Sequence, residues 1–216
     1  MNRLDTICSM VSENSTVHDI GCDHAYLLLK LYPKIKQGFA MDIAQKPLNT
    51  AIKTINENNI SDKIQAVLSN GLEKVDFNIA DTIVIAGMGA ELITIILSDN
   101  SNIYNEKLTF ILQPMTKSEL LRQFLYEKGF EIVDEQISIE ERRFYTIIKA
   151  KFTNKQIKKD VLDCYVSEKL QEQERFIDFA EEKIRKASII CKQIEDTQSE
   201  RYIYYNKLLE KMRGYI

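Results

Sequence analysis

Val17-His18-Asp19-Ile20-Gly21-Cys22-Asp23-His24 is a short, largely apolar run that closes on an acidic residue, a glycine and the start of a helix. A strand buried on both faces reads this way, and a glycine after it lets the chain turn sharply and approach a ligand. The stretch points to a nucleotide-type site at the head of an α/β fold. It departs from the dinucleotide fingerprint G-x-G-x-x-G, because Asp23 and Tyr26 stand where small residues belong. A carboxylate at Asp23 would repel a pyrophosphate seated at the helix N-terminus, which disfavours NAD. S-adenosylmethionine (SAM) has no phosphate and carries a sulfonium and an ammonium, so Asp19 and Asp23 beside Gly21 and Cys22 suit its charge. The same residues also fit an ordinary strand-turn-helix with Asp23 as N-cap.

Outward from that turn, apolar spacing at Leu4, Ile7, Cys8 and Val11 predicts a short helix ahead of strand one (16–20). A helix near 24–32, closed by Pro33, leads to strand two at 38–42. Asp42 ends that strand about 20 residues after the glycine turn, where an acidic side chain accepts both ribose hydroxyls of an adenosine. A helix from Lys46-Pro47 to about 58 follows, with proline tolerated in its first turn. Strand three (64–68) ends in Ser69-Asn70-Gly71. There the Asn70 amide can bond an adenine edge and Gly71 permits a tight turn, although Asn-Gly is also simply a good turn. Strand four (81–86) runs into Gly87-Met88-Gly89, whose two glycines imply close approach, and then a helix (91–97). Strand five (108–112) ends in Gln113-Pro114, a helix covers 117–128, and strands at 131–139 and 144–152 pair antiparallel through their short connection.

Beyond Phe152 the character changes. No Gly or Pro occurs from Glu131 to Arg213, and Lys, Glu, Gln and Ile dominate from Lys155 onward. Apolar residues at three-to-four spacing from Phe176 to Ile194, and again from Ile203 to Met212, predict two antiparallel helices joined by the polar 195–200 turn. The expected fold class is therefore α/β: a Rossmann-like catalytic domain over 1–152 and an α-helical coiled-coil domain over 153–216. With 29 Lys+Arg against 32 Asp+Glu, net charge is −3, so charge alone does not announce a nucleic-acid protein. Lys155, Lys158 and Lys159, and Lys183, Arg185 and Lys186, are runs that either meet phosphates or form solvated faces. Cys8, Cys22, Cys164 and Cys191 lack ligand or disulfide spacing, so reduced thiols and no metal site are expected. Residues 1–10 lack a signal-peptide pattern and no apolar run is long enough to cross a membrane, which points to a cytoplasmic protein.

The segments Asp19-Ile20-Gly21-Cys22-Asp23-His24-Ala25-Tyr26-Leu27, Ile85-Ala86-Gly87-Met88-Gly89-Ala90 and Ile111-Leu112-Gln113-Pro114, in that order, resemble the bacterial tRNA (adenine(22)-N(1))-methyltransferase family. More loosely, the resemblance extends to Arg3-Leu4, to Glu140-x-x-Arg143-Phe144-Tyr145 and to the helical C-terminal part. It implies a class I, SAM-dependent methyltransferase acting on N1 of an adenine in tRNA, with the coiled coil assisting tRNA binding; apart from the resemblance, a monomer is expected. By the same likeness Asp19, Gly21, Cys22 and Gly87 surround the methionine part of the cofactor, Asp42 and Ile43 the ribose, and Asn70 and Gly71 the adenine. Asp23, His24 and Gln113 are candidate catalytic residues, accepting a proton from the base or orienting it. Arg3, Tyr26, Met88, Pro114, Arg143 and Tyr145 are candidate substrate contacts, with Tyr26, Phe144 or Tyr145 available to stack on a flipped adenine. Two residues depart from the family pattern: Asn70 replaces an aspartate, and Ala90 a second glycine. Rival readings are a SAM enzyme acting on a protein or small molecule, and a catalytically silent RNA-binding scaffold.

Overall fold

The structure, a computed structural model, describes residues 2–216. Strand β1 (Thr16–Ile20) is buried along its whole length, and its register is fixed by parallel partners on both sides, β2 (Gln37–Asp42) and β4 (Thr82–Met88). Beyond them lie β3 (Ile64–Leu68) against β2 and β5 (Thr109–Pro114) against β4, both parallel. The late hairpin then reverses direction: β7 (Arg143–Phe152) runs antiparallel to β5, and β6 (Phe130–Glu140) antiparallel to β7. The seven-stranded order is β3-β2-β1-β4-β5-β7-β6. The chain builds outward from β1 in one direction and from β4 in the other. The gap between their carboxyl ends is thus the switch point at which open α/β sheets place ligands.

Side-chain alternation along β1 feeds two separate cores. Val17 packs with α1 (Arg3–Met10), α2 (Tyr26–Leu31) and α3 (Gln45–Glu57) on one face. Ile20 packs with α4 (Ala90–Ser98) and α5 (Ser118–Glu127) on the other. On the Ile20 face His18 stacks on Phe39, ring centroids 4.5 Å apart. Burial pushes its imidazole down to about 4, so it stays neutral in the core.

Two boundaries at the site differ from the sequence reading. The helix expected from 24 starts at Tyr26, because Asp23 (φ 47) and Ala25 (φ 57) both take the left-handed conformation. Ala25, not Asp23, occupies the N-cap position, no side chain caps the helix, and His24 stands in the loop. Strand four continues past Ala86 through a bulge, so that Met88 pairs with Pro114.

After β7, a 3₁₀ turn (Val161–Cys164) and the short α6 (Glu168–Gln171) lead into the helical hairpin of α7 (Phe176–Gln193) and α8 (Glu200–Arg213). Phe176, Phe179, Leu208 and Met212 form its core, which also takes in Ile137 and Phe144 of the β6–β7 hairpin. The junction hides an ion pair, with Arg122 and Glu135 both 0% exposed and 2.6 Å apart. Arg122 also donates to the carbonyls of Cys164 (2.9 Å) and Tyr165 (3.2 Å), and the Ser167 hydroxyl donates to Glu135. No helix among the described residues is long and apolar enough to cross a membrane.

Candidate active site

A cleft of about 360 Å³ opens at the carboxyl ends of β1 and β4. It draws together nine of the residues selected from sequence: Asp19, Gly21, Cys22, Asp23, His24, Gly87 and Gln113, with Arg3 and Tyr26 at its mouth. Glycine is required at its two turns for geometric reasons. Gly21 and Gly87 both sit at φ +78, a conformation that strains any residue with a Cβ. A Cβ at Gly21 would lie 2.3 Å from the Met88 methyl carbon, whereas one at Gly87 would meet nothing within 4 Å and stand in the open cleft. Met88 thus backs Gly21. The turn after β1 is pinned by the Gly21 and Cys22 amides, which both donate to the Met41 carbonyl (2.7 and 3.0 Å).

Asp19 is only 5% exposed, and no donor among the described residues reaches its carboxylate. Burial, reinforced by the charge of Asp42, pushes its pKa up to about 7. An unpaired buried carboxylate beside a second acid is a standing demand for a cation. Burial likewise holds the Cys22 thiol far above its usual range, which removes it as a nucleophile.

Gln113, 1% exposed, is held on both ends of its amide. Its Oε1 accepts from the Gly87 amide and from Arg3 Nη1, each at 3.1 Å, and its Nε2 donates to the Pro114 carbonyl at 3.0 Å. The second N–H points to the Met115 sulfur at 3.7 Å, so the amide orientation is fully defined. Arg3 closes the arrangement from the opposite end of the chain: its Nε is 2.6 Å from Glu140, and its guanidinium lies 5.0 Å from the Tyr145 ring centroid. At the rim His24 and Tyr26 stack with ring planes 8° apart and centroids 5.3 Å apart, and Tyr26 is 55% exposed. Asp23 Oδ1 approaches His24 Nε2 at 3.5 Å.

The other candidates lie outside this cleft. Asp42 ends β2, where its Oδ1 accepts from the Ala44 amide at 2.9 Å, and Ile43 beside it is 67% exposed. Asn70 and Gly71 line a separate depression of about 160 Å³ against α4, where the Asn70 side chain donates to Glu73. That depression adjoins Asp42 through the Ser69 amide, which donates to the Asp42 carbonyl at 2.9 Å. Pro114 and Tyr145 line a neighbouring groove, and Arg143 is exposed at the start of β7. Ala90, where the resemblance would put a glycine, is the first residue of α4 with its amide on the Thr116 carbonyl, so nothing there demands a glycine. Sequence reading missed the contact of Met115, whose sulfur lies 3.1 Å from Arg3, and the Arg3–Glu140 pair. No signal in the sequence joins residues 137 positions apart.

The profile of a family described as a methyltransferase domain matches residues 1–148. Among curated relatives, the tRNA (adenine(22)-N(1))-methyltransferase of Bacillus subtilis (strain 168) is 31% identical over 150 residues, 68% of this chain and 63% of that protein. The chain thus aligns with somewhat less than two thirds of that relative. Among solved structures, M. capricolum TrmK in complex with S-adenosyl-homocysteine superposes with a TM-score of 0.82 at 27% identity, over 99% of this chain and 96% of that one. A Streptococcus pneumoniae protein in complex with S-adenosyl-L-methionine superposes with a TM-score of 0.85 at 27% identity, over 100% and 99%.

Proposed function

Since the chain belongs to the methyltransferase-domain family, we propose that it is a SAM-dependent tRNA methyltransferase that acts as a single chain on N1 of adenine 22 in the bacterial cytoplasm. The observation that carries this reading is the buried, unpaired Asp19 beneath a cleft whose two turns are glycines at φ +78. Such a cleft suits a ligand that is cationic, not phosphorylated, and pressed against backbone. When bound, SAM supplies an electrophilic methyl group. Asp19 and the Gly21–Cys22 turn hold its charged amino-acid part, the second oxygen of Asp42 and the neighbouring Ile43 take the ribose, and Asn70 and Gly71, across the Ser69 link, take the adenine edge.

For the substrate base, the work of the protein is placement. Adenine N1 carries a lone pair at neutral pH, so no strong base has to act before attack. Alignment at near-attack distance can contribute about 7–11 kcal/mol in favourable intramolecular cases. The exposed His24–Tyr26 stack offers a flat platform at the rim. Gln113, whose Oε1 is held by the Gly87 amide and Arg3, acts as a positioning residue that fixes the open face of Gly87 against which the base lies. Asp23, at the mouth, accepts the proton that the exocyclic amino group sheds as charge develops. Residues 153–216 act as a tRNA-binding arm. Incubation with SAM and unmodified bacterial tRNA, then nuclease digestion and mass spectrometry, tests the reading. N1-methyladenosine at a single position is expected; only the N6 isomer, or no RNA product at all, overturns it.

A further inference from the structure

Beside the cleft runs a second, smaller groove, between the start of α5 and the inner face of α7. Pro114, Thr116, Ser118, Tyr145, Phe179 and Lys183 line it, and its volume is about 40 Å³. That space excludes a planar base but accepts the oxygens of a small anion. Two features converge on it. The first is Lys183, which differs from its basic neighbours on α7. Arg185 and Lys186 both pair with Glu182, at 2.6 and 3.1 Å. The Lys183 ammonium instead lies 5.1 Å from the Phe179 ring centroid, with no ion pair or hydrogen bond among the described residues. Burial holds its pKa below the usual lysine value, and Arg122 and Lys186 push the same way. Glu119 and Glu182 oppose them, but neither is within ion-pairing distance. Half-buried at the groove wall with no carboxylate bound to it, the Lys183 ammonium leaves the groove open to an anion.

The second feature is the N-terminus of α5, a ten-residue helix whose N-cap, Lys117, is left-handed and supplies no side-chain cap. Its free amides and dipole favour negative charge. The groove is also continuous with the cleft. Tyr145 forms its wall, Arg3 lies over the Tyr145 ring, and Arg3 donates to Gln113 at the cleft floor.

We propose that Lys183 and the N-terminus of α5 seat one backbone phosphate of the RNA strand that delivers its base to the cleft, a reading that rests on tRNA being the substrate. Lys183 is then a positioning residue. It touches neither cofactor nor reacting atoms, and it aligns the strand from the helical arm.

The test measures tRNA binding by fluorescence anisotropy across a salt series, alongside steady-state methyl transfer. It compares wild type with Lys183→Met, which keeps the packing on Phe179, with Lys183→Arg, which keeps the charge, and with Lys186→Met as a charge-matched control. For Lys183→Met the tRNA Kd should rise roughly fivefold to tenfold near 0.1 M salt, and the log–log salt slope should shrink by about 0.7–0.9. The KM for tRNA should rise in step while kcat and the SAM affinity hold. Lys183→Arg should restore most of the loss and Lys186→Met should cause little. Unchanged binding by Lys183→Met, equal weakening by Lys186→Met, or a kcat loss at constant KM would each overturn the proposal. So would a wild-type protein that binds no tRNA. If Lys183-dependent binding appears without methyl transfer, the phosphate seat stands and the methyltransferase reading falls.

Discussion

Replacing Asp19 by Asn should make the protein more stable and less able to bind SAM, and the size of the first effect follows from burial. In the folded chain burial pushes the Asp19 carboxyl up to about 7, against 3.8 for an aspartate in an unfolded chain. That difference is about 3 units, or ~4 kcal/mol at 1.36 kcal/mol per unit, an upper bound that relaxation and water entry reduce. The sign runs against the usual acidic case. Because the folded state holds its proton more tightly, it gains stability relative to the unfolded chain below pH 4 and loses it progressively as pH rises to 7, levelling off above that. The Asn variant lacks this loss, so the two proteins should be equally stable near pH 4 and diverge by about 2–4 kcal/mol at pH 8. His18, buried neutral, drives an opposite slope as pH falls from 6.5 toward 4, but it is present in both proteins and cancels in the difference. Urea unfolding of the ligand-free protein at four pH values gives the difference curve directly. Calorimetry of SAM in two buffers of unlike ionisation enthalpy should show proton release by wild type near pH 6, where binding a cation ionises Asp19, and weak, proton-silent binding by the variant. Parallel stability curves, or wild-type SAM affinity in Asp19→Asn, would refute the idea that this carboxylate awaits a cation.

Asp42→Ala removes a charged acceptor at the end of β2 and should weaken SAM by about 1.5–3 kcal/mol, tenfold or more, as read by calorimetry. Gly87→Val forces a side chain into a position at φ +78 where nothing else crowds it. Thermal melting should therefore show a modest loss, about 1–2 kcal/mol, while a radiolabel assay shows no methyl transfer; retained transfer would put the base elsewhere. Arg122→Met leaves Glu135 buried without its partner and should destabilise the fold by about 3–5 kcal/mol in denaturant titration, with the Arg122→Met/Glu135→Leu pair recovering much of it.

The sheet was legible because each strand carries its own local signal. The apolar runs at 16–20 and 64–68 match β1 and β3 residue for residue, and the glycines marking the ends of β1 and β4 sit where the cleft forms. Legibility stopped where backbone handedness or distant contacts decide. Nothing in Asp23-His24-Ala25 announces two left-handed residues, and the helix begins two positions later than its sequence suggests. Asn70 reads as a cleft residue from its strand-end position, yet its side chain turns to Glu73 in a separate depression. Arg3 was visible as a residue but not as the link among Gln113, Glu140 and Tyr145, since that link exists only once the late hairpin folds over α1. On α7, the sequence put Lys183, Arg185 and Lys186 on an equal footing. Only the three-dimensional pairing of two of them with Glu182 singles out the third.

The buried Arg122–Glu135 pair also orders events during synthesis. Translation delivers both residues before the turn over 161–167 that seals them, so a nascent chain carries the pair with one flank still hydrated. Only when the Cys164 and Tyr165 carbonyls and the Ser167 hydroxyl emerge can protein replace that water. Until then Ile137 and Phe144 also lack the helices that cover them. A chain cut short before this turn therefore leaves a half-sealed ion pair and an uncovered apolar edge, and the few residues around Ser167 are what close both.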